Sequence, residues 1–182
     1  MWRLAILMLL GCLISVPAFA ALEVGDTAPN FSADAAVGGK HFRFSLKEAL
    51  AHGPVVLYFF PKAFTSGCTV EAHEFSEAAA SFTSAGATLI GMSSDTIDTL
   101  SDFSTRECRA KFAVAADPDL SVIRAYDAVM MRVPGFGGIS DRTSYVISPE
   151  GKILMSYTAM SPDEHVSRTL AAVQKWQKDH AK

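Results

Sequence analysis

Cysteine is scarce in this chain: three occur in 182 residues, at positions 12, 68 and 108. The fold must therefore rest on a packed core, which a domain of this length can bury without covalent staples. The five histidines are scattered, and no His-x-x-x-His or Cys-x-x-Cys pair offers ligand spacing for a metal. Basic residues are not in excess; the net charge is −3, or −4 without Arg3, so nucleic acid has no electrostatic footing as a partner. The glycine-rich stretch Val133-Pro134-Gly135-Phe136-Gly137-Gly138 reads as a loop that precedes a strand rather than a helix, which excludes a phosphate cradle. No linker composition interrupts residues 21–182, so one domain is expected. No metal or organic cofactor is implied.

Long apolar runs are also lacking, apart from one at the start. Residues 1–20 hold Arg3, an apolar run from Leu4 to Val16, and then Pro17-Ala18-Phe19-Ala20, an Ala-x-Ala cleavage signal. The run is shorter than the ~20 residues a membrane span needs and has no basic flank after it. A cleaved signal peptide over 1–20 is expected, with a periplasmic or secreted product that has no stable membrane association. Leu9-Leu10-Gly11-Cys12 invites a lipoprotein reading. Cutting before Cys12 would leave a very short apolar region and keep Leu13-Ile14-Ser15-Val16 in the product.

What is present is organised around Pro61–Glu71. The run Val55-Val56-Leu57-Tyr58-Phe59-Phe60, bounded by Gly53-Pro54 and Pro61, reads as a buried central strand. After it, a helix is expected from about Ser66 to Ala85, with Phe75, Ala78, Ala79 and Phe82 as its apolar stripe and Gly86 as its stop. Cys68 then stands in the first turn of a helix that begins at the carboxyl end of a strand, where α/β folds place their chemistry. Unpaired N–H groups and the positive end of the helix dipole favour an anion there. A free thiol of pKa ~8.5 is about 3% thiolate at pH 7, and helix N-termini can lower that pKa to ~6. Such a drop corresponds to roughly 3.4 kcal/mol, whereas the dipole supplies about 0.3–1 kcal/mol, up to ~2 in buried geometry. A second donor is needed, such as an Arg from elsewhere in the chain.

The remaining segments alternate. Gly25-Asp26 and Pro29 punctuate an irregular start, and Gly38-Gly39 turns into a short hairpin strand at His41–Phe44. Ser45-Leu46-Lys47-Glu48 is a capping box opening a helix to about His52. A second core strand spans Ala87–Met92. Asp95 can cap a helix running through Ile97, Leu100 and Phe103 to about Lys111, followed by a strand at Phe112–Ala116 and a short helical piece from Pro118-Asp119. Thr143–Ile147 and Ile153–Thr158 flank Pro149-Glu150-Gly151 as a hairpin. A last helix is announced by Ser161-Pro162-Asp163-Glu164, with Val166, Leu170, Val173 and Trp176 as its core face. The pattern is α/β: a central mixed sheet flanked by helices.

Pro61-x-x-x-Thr65-x-x-Cys68 resembles the peroxidatic signature of the peroxiredoxins, a family of thiol peroxidases, and Cys68-Thr69-x-Glu71 is most similar to their bacterioferritin-comigratory-protein (PrxQ) branch. The likeness runs from Val24-Gly25-Asp26-x-Ala28-Pro29-x-Phe31 to Ser144-Tyr145-Val146-Ile147 and Gly151-Lys152-Ile153. It implies a thioredoxin-like fold with an N-terminal hairpin extension, and reduction of hydrogen peroxide and organic hydroperoxides through a sulfenic acid on Cys68. A peroxide substrate and a thiol reductant, a thioredoxin-like protein or a small thiol, are the implied partners, and the chain is expected as a monomer or weak dimer. Arg142, just before the Thr143–Ile147 strand, matches the arginine that stabilises the thiolate; a solvated Arg paired with Asp141 is the plain alternative. Thr65 matches the hydroxyl that bonds thiolate and substrate, and it could also cap the Cys68 helix. Pro61 can end the strand and shield the sulfur. Glu71 matches the acid that positions the arginine, or simply favours the dipole of the first turn.

His73 departs from the pattern, because the branch often carries a resolving cysteine there. Another version of the branch places that cysteine on the next helix, where Cys108 lies. Helical geometry puts Cys108 on the buried face with Leu100 and Phe112, so a resolving cysteine and an inert core thiol both fit. Two thiols in an exported chain could also form a structural disulfide. Two other classes stay open: an exported thiol–disulfide oxidoreductase and a non-catalytic thioredoxin-like binding domain. Against the first, Glu71 stands where thioredoxin-type oxidoreductases have their second cysteine.

Overall fold

The structure, a computed structural model, describes residues 21–131 and 138–181. Its strands are β1 (Ser32–Val37), β2 (Lys40–Ser45), β3 (Val55–Phe59), β4 (Thr88–Ser93), β5 (Ala113–Ala116), β6 (Val129–Met131), β7 (Ile139–Ser140), β8 (Thr143–Ile147) and β9 (Ile153–Thr158). The helices are α1 (Leu46–Leu50), α2 (Ser66–Ser84), α3 (Ile97–Arg106), α4 (Ser121–Ala125) and α5 (His165–His180). Seven strands form one sheet in the order β2-β1-β5-β4-β3-β8-β9, with β6 and β7 a separate two-stranded ribbon. The β3–β4 and β4–β5 pairs are parallel and the other sheet pairs antiparallel. This is the expected mixed sheet.

The two-residue alternation of β3 divides the core. Val55, Leu57 and Phe59 join Ile90, Met92, Tyr145 and Ile147 on the face covered by α1 and α4. Val56, Tyr58 and Phe60 join Phe75 and Phe82 of α2, Leu100 and Phe103 of α3, and Val173 of α5 on the other face. Cys68 and Cys108 both belong to this second cluster. Tyr58 stacks on Phe75 at a centroid separation of 4.4 Å. It also lies so near β4 that a Cβ on Gly91 would stand 2.7 Å from its ring, which fixes glycine at that position. No helix among the described residues is long and apolar enough to cross a membrane.

Several boundaries differ from expectation. The irregular start contains β1, which pairs with β2 across Gly38-Gly39, both at positive φ as a two-residue hairpin turn requires. Its Ser-Ala-Asp-Ala-Ala-Val composition carries little β propensity, and pairing to β5 supplies the order instead. The Ser45 cap is as expected, accepting from the Glu48 N–H at 3.3 Å. Thr96, not Asp95, caps α3. That helix stops at Arg106 rather than near Lys111, because Arg109 and Ala110 turn to positive φ and the Ala110 N–H closes onto Ser104 O. α5 begins at His165 rather than in the Ser161–Glu164 box; Glu164, at φ +70°, gives its carboxylate to Arg168 at 2.8 and 2.6 Å. Its fully buried face is His165, Thr169 and Val173, with Val166, Leu170 and Trp176 half-buried beside it. The loop expected at Val133–Gly138 lies outside the described residues except for Gly138.

Candidate active site

The strand β3 delivers the chain into the core, and Pro61, itself buried, turns it towards α2. The turn is anchored by Asp95. Its carboxylate accepts from the Ala63 N–H at 2.7 Å and from Ser93 Oγ at 2.9 Å, and pairs with Lys62 Nζ at 3.3 Å. Asp95 is thus spent on the loop before Cys68 rather than on α3. Phe64 takes a positive φ of 64° there, its ring held edge-on by Phe103 and faced by the Arg106 guanidinium. α2 then starts, and Cys68 occupies its first turn, 2% exposed.

Arg142 comes from the segment joining β7 to β8 and is 3% exposed. Its Nη2 lies 3.5 Å from Cys68 Sγ, its Nη1 donates to Glu71 Oε2, and its Nε donates to the Met160 carbonyl at 2.9 Å. Asp141 takes the backbone N–H of Arg142, not the guanidinium. The planar fork therefore spans the sulfur and the carboxylate with its two ends, which an ammonium could not do. Gly67 permits the approach, since a Cβ there would lie 3.1 Å from Nη2. Glu71 is fully buried, and burial pushes its carboxyl up to about 8 against the opposing pull of Arg142. A fully buried acid of this kind is no solvated first-turn charge. It is the partner that holds one end of the arginine's fork in place.

Thr65 is the N-cap of α2 by backbone position, but its side chain makes no capping bond. The hydroxyl donates instead to the Lys62 carbonyl at 2.9 Å. The capping expectation is corrected by that rival carbonyl three residues back, and the Thr65 hydroxyl makes no hydrogen bond to Cys68 here. Cys108 lies two residues beyond α3, fully buried, with its N–H on Phe103 O. Cys68 and Cys108 are both free, which answers the structural-disulfide reading. Burial pushes the Cys108 thiol far up, and Glu107 adds to it. His73 Nε2 meets Glu107 Oε2 at 2.8 Å, so the residue that replaces the local resolving cysteine ties α2 to the neighbour of Cys108.

The sequence reading missed three groups: Asp95 as loop anchor, the Met160 carbonyl, and a buried histidine beyond it, His165, whose Nδ1 is 3.8 Å from Glu71 Oε1. Their separation along the chain leaves no local spacing to notice. Among the described residues no group of three His, Cys, Asp or Glu is placed to hold a metal ion. The chemistry on offer is that of a thiol beside a fixed cation at a helix start, suited to stabilise a thiolate and the charge developing on a bound oxygen.

The model of the AhpC/TSA family matches residues 24–156. The chain belongs to this family, the peroxiredoxins. Among similar peroxiredoxins, Peroxiredoxin Bcp of Xanthomonas campestris pv. campestris is 32% identical over 131 residues, covering 70% of this chain and 78% of the relative. Peroxiredoxin Bcp of Bacillus subtilis is 27% identical over 157 residues, covering 84% and 96%. Of solved peroxiredoxin structures, peroxidoxin BcpB from Mycobacterium tuberculosis superposes with a TM-score of 0.76 at 29% identity, covering 85% of this chain and 97% of that one. A structure of the Xanthomonas campestris bacterioferritin comigratory protein, studied for its alkyl peroxide reduction activity, gives 0.68 at 26% identity, covering 79% and 91%. The branch, the thioredoxin-like fold and the enzyme class follow: the chain is a thiol peroxidase of the Bcp/PrxQ-like peroxiredoxins.

Proposed function

We propose that Cys68 is the nucleophile with which this peroxiredoxin reduces hydrogen peroxide and organic hydroperoxides. One observation carries the assignment: the Cys68 sulfur, in the first turn of α2, faces an Arg142 guanidinium fixed by Glu71 and by the Met160 carbonyl. The thiolate attacks one peroxide oxygen, an S–O bond forms, and the O–O bond breaks. The leaving oxygen takes a proton and departs as water or alcohol, while sulfur is left as the sulfenic acid. Arg142 and the N–H groups of the first turn stabilise the charge that moves onto oxygen. The Thr65 hydroxyl reaches sulfur or substrate by giving up its bond to Lys62 O, and Pro61 keeps water from the sulfur.

Cys108 resolves the sulfenic acid as an intramolecular disulfide, after the 107–111 segment lifts from α2. Cys108 is held there by burial in the core and by the His73–Glu107 contact, and the opening releases both. An external thiol then returns the enzyme to its reduced state. The Leu4–Val16 run with Ala18-Phe19-Ala20 supports export, and hence a reductant on the far side of the membrane. A monomer or weak dimer is the assembly that goes with this reading. Thiol–disulfide exchange as the primary activity is disfavoured, because Glu71 is committed to Arg142 where that chemistry keeps its second thiol.

The test is peroxide consumption by residues 21–182 with dithiothreitol as reductant. The wild type is expected to turn over and Cys68→Ser to be inert; equal turnover by the two would remove the assignment.

A further inference from the structure

His165 opens α5, is fully buried, and has no part in the chemistry described so far. Its Nε2 lies 3.0 Å from the Ala159 carbonyl, which can only accept, so Nε2 carries a proton. Nδ1 is 2.8 Å from Ser144 Oγ and 3.8 Å from Glu71 Oε1. In the neutral ring Nδ1 is the bare nitrogen and takes the Ser144 hydroxyl proton. Glu71 Oε1 is buried and has no hydrogen-bond partner, while Oε2 holds Arg142.

These contacts close a ring. His165 and Arg142 donate to consecutive carbonyls, Ala159 and Met160, and the Ala159 N–H returns to Arg142 O. The same two side chains face the two oxygens of one carboxylate. A histidine buried only for packing needs neither coincidence. Burial lowers the proton affinity of the imidazole and raises that of the carboxyl, so one proton between them satisfies both. Facing the ring are Glu71 of α2, Asp141 and Arg142 ahead of β8, Tyr157 of β9, and Arg168 of α5; Asp141 favours the imidazolium, and both arginines oppose it.

We propose that His165 is a positioning residue for peroxide reduction, its Nδ1 drawing Glu71 Oε1 in from 3.8 Å to share one proton in place of the Ser144 hydrogen bond, and so setting how much of Arg142's charge is left for the Cys68 sulfur and the peroxide. The proposal rests on Cys68 being the nucleophile. With the proton on the pair, Arg142 is balanced by the thiolate alone. When the pair loses it, the Glu71 carboxylate claims the guanidinium and the reacting oxygens lose their stabilisation. The rate of Cys68 oxidation therefore rises with pH as the thiol ionises and falls again as the pair deprotonates.

The test is the single-turnover rate constant for hydrogen peroxide between pH 5 and 10, with melting temperatures measured in parallel. His165→Gln keeps an N–H for Ala159 and lacks Nδ1. It is expected to move the alkaline limb to lower pH, because Glu71 alone then holds the proton, and to react about tenfold more slowly at neutral pH, as a misplaced catalytic group does. Ser144→Ala leaves Nδ1 to Glu71 alone and is expected to move the alkaline limb to higher pH. It carries the test if His165→Gln does not fold. A folded His165→Gln with an unmoved alkaline limb and the wild-type rate overturns the proposal, as does an unmoved limb in Ser144→Ala. A wild type that reacts with peroxide only as fast as a free thiol would instead overturn the assignment of Cys68.

Discussion

Arg142→Ala removes a guanidinium whose Nη2 lies 3.5 Å from the Cys68 sulfur. Its charge is spread over the group, so an effective separation of ~5 Å gives about 3 kcal/mol at a dielectric of ~20 and about 0.8 kcal/mol in water. That is a rise of about 0.6 to 2.4 pH units in the midpoint for Cys68 alkylation. Glu71 decides where in that range the result falls. Burial already holds its carboxyl at about 8, and with its cation gone it moves higher and stays protonated through neutral pH. Little negative charge is therefore lost with the cation, and a rise of about 1 unit or more is expected. The assay is iodoacetamide alkylation across pH in a Cys108→Ser background, so that Cys68 alone reports. Arg142→Lys restores a charge without the fork. It should recover part of the midpoint and little of the peroxide rate, since one ammonium cannot hold Glu71 and face sulfur together. An unchanged midpoint in Arg142→Ala, together with an unchanged peroxide rate, would refute the reasoning.

Further outcomes are expected. One equivalent of peroxide should yield an intramolecular Cys68–Cys108 disulfide in the non-reduced digest; a stable sulfenic acid on Cys68 with Cys108 still alkylatable in denaturant would make this a one-cysteine enzyme. Gly67→Ala presses a methyl towards Nη2, at 3.1 Å, and Arg142 is pinned at its other donors; the peroxide rate should drop several-fold with little change in melting temperature, and a wild-type rate would show that the guanidinium is free to yield. Glu71 carries a folded-state value raised from 4.5 to about 8, so its contribution to stability is fully present below pH ~4.5 and is lost as pH rises towards 8. Glu71→Gln should therefore flatten the decline of melting temperature between about pH 5 and 8, and an identical slope in the variant would contradict the raised value.

What the sequence made legible was local. The β3 run announced a buried central strand through its unbroken apolar sequence, and the turn from Pro61 to Cys68 placed the thiol at a helix start from a few adjacent residues. The shortfall in stabilising the thiolate called for a cation; resemblance, not spacing, pointed to Arg142. β1 was hidden because an alanine-rich segment owes its strand to neighbours on both sides. Asp95 and Ser161–Glu164 satisfied the local rules for caps, yet Asp95 was claimed by Ala63 and Ser93, and Glu164 by Arg168. His165 was beyond reach, since its meaning comes from Glu71, Ser144 and Ala159, which three other parts of the chain bring to it.

The central claim is that the Cys68 thiolate itself takes the peroxide oxygen. The most direct measurement is the mass of Cys108→Ser protein after one equivalent of hydrogen peroxide in the presence of dimedone. A single dimedone adduct on the peptide containing Cys68, formed far faster than on a free thiol, is the expected result. Peroxide consumed while Cys68 remains unmodified and alkylatable would contradict the account.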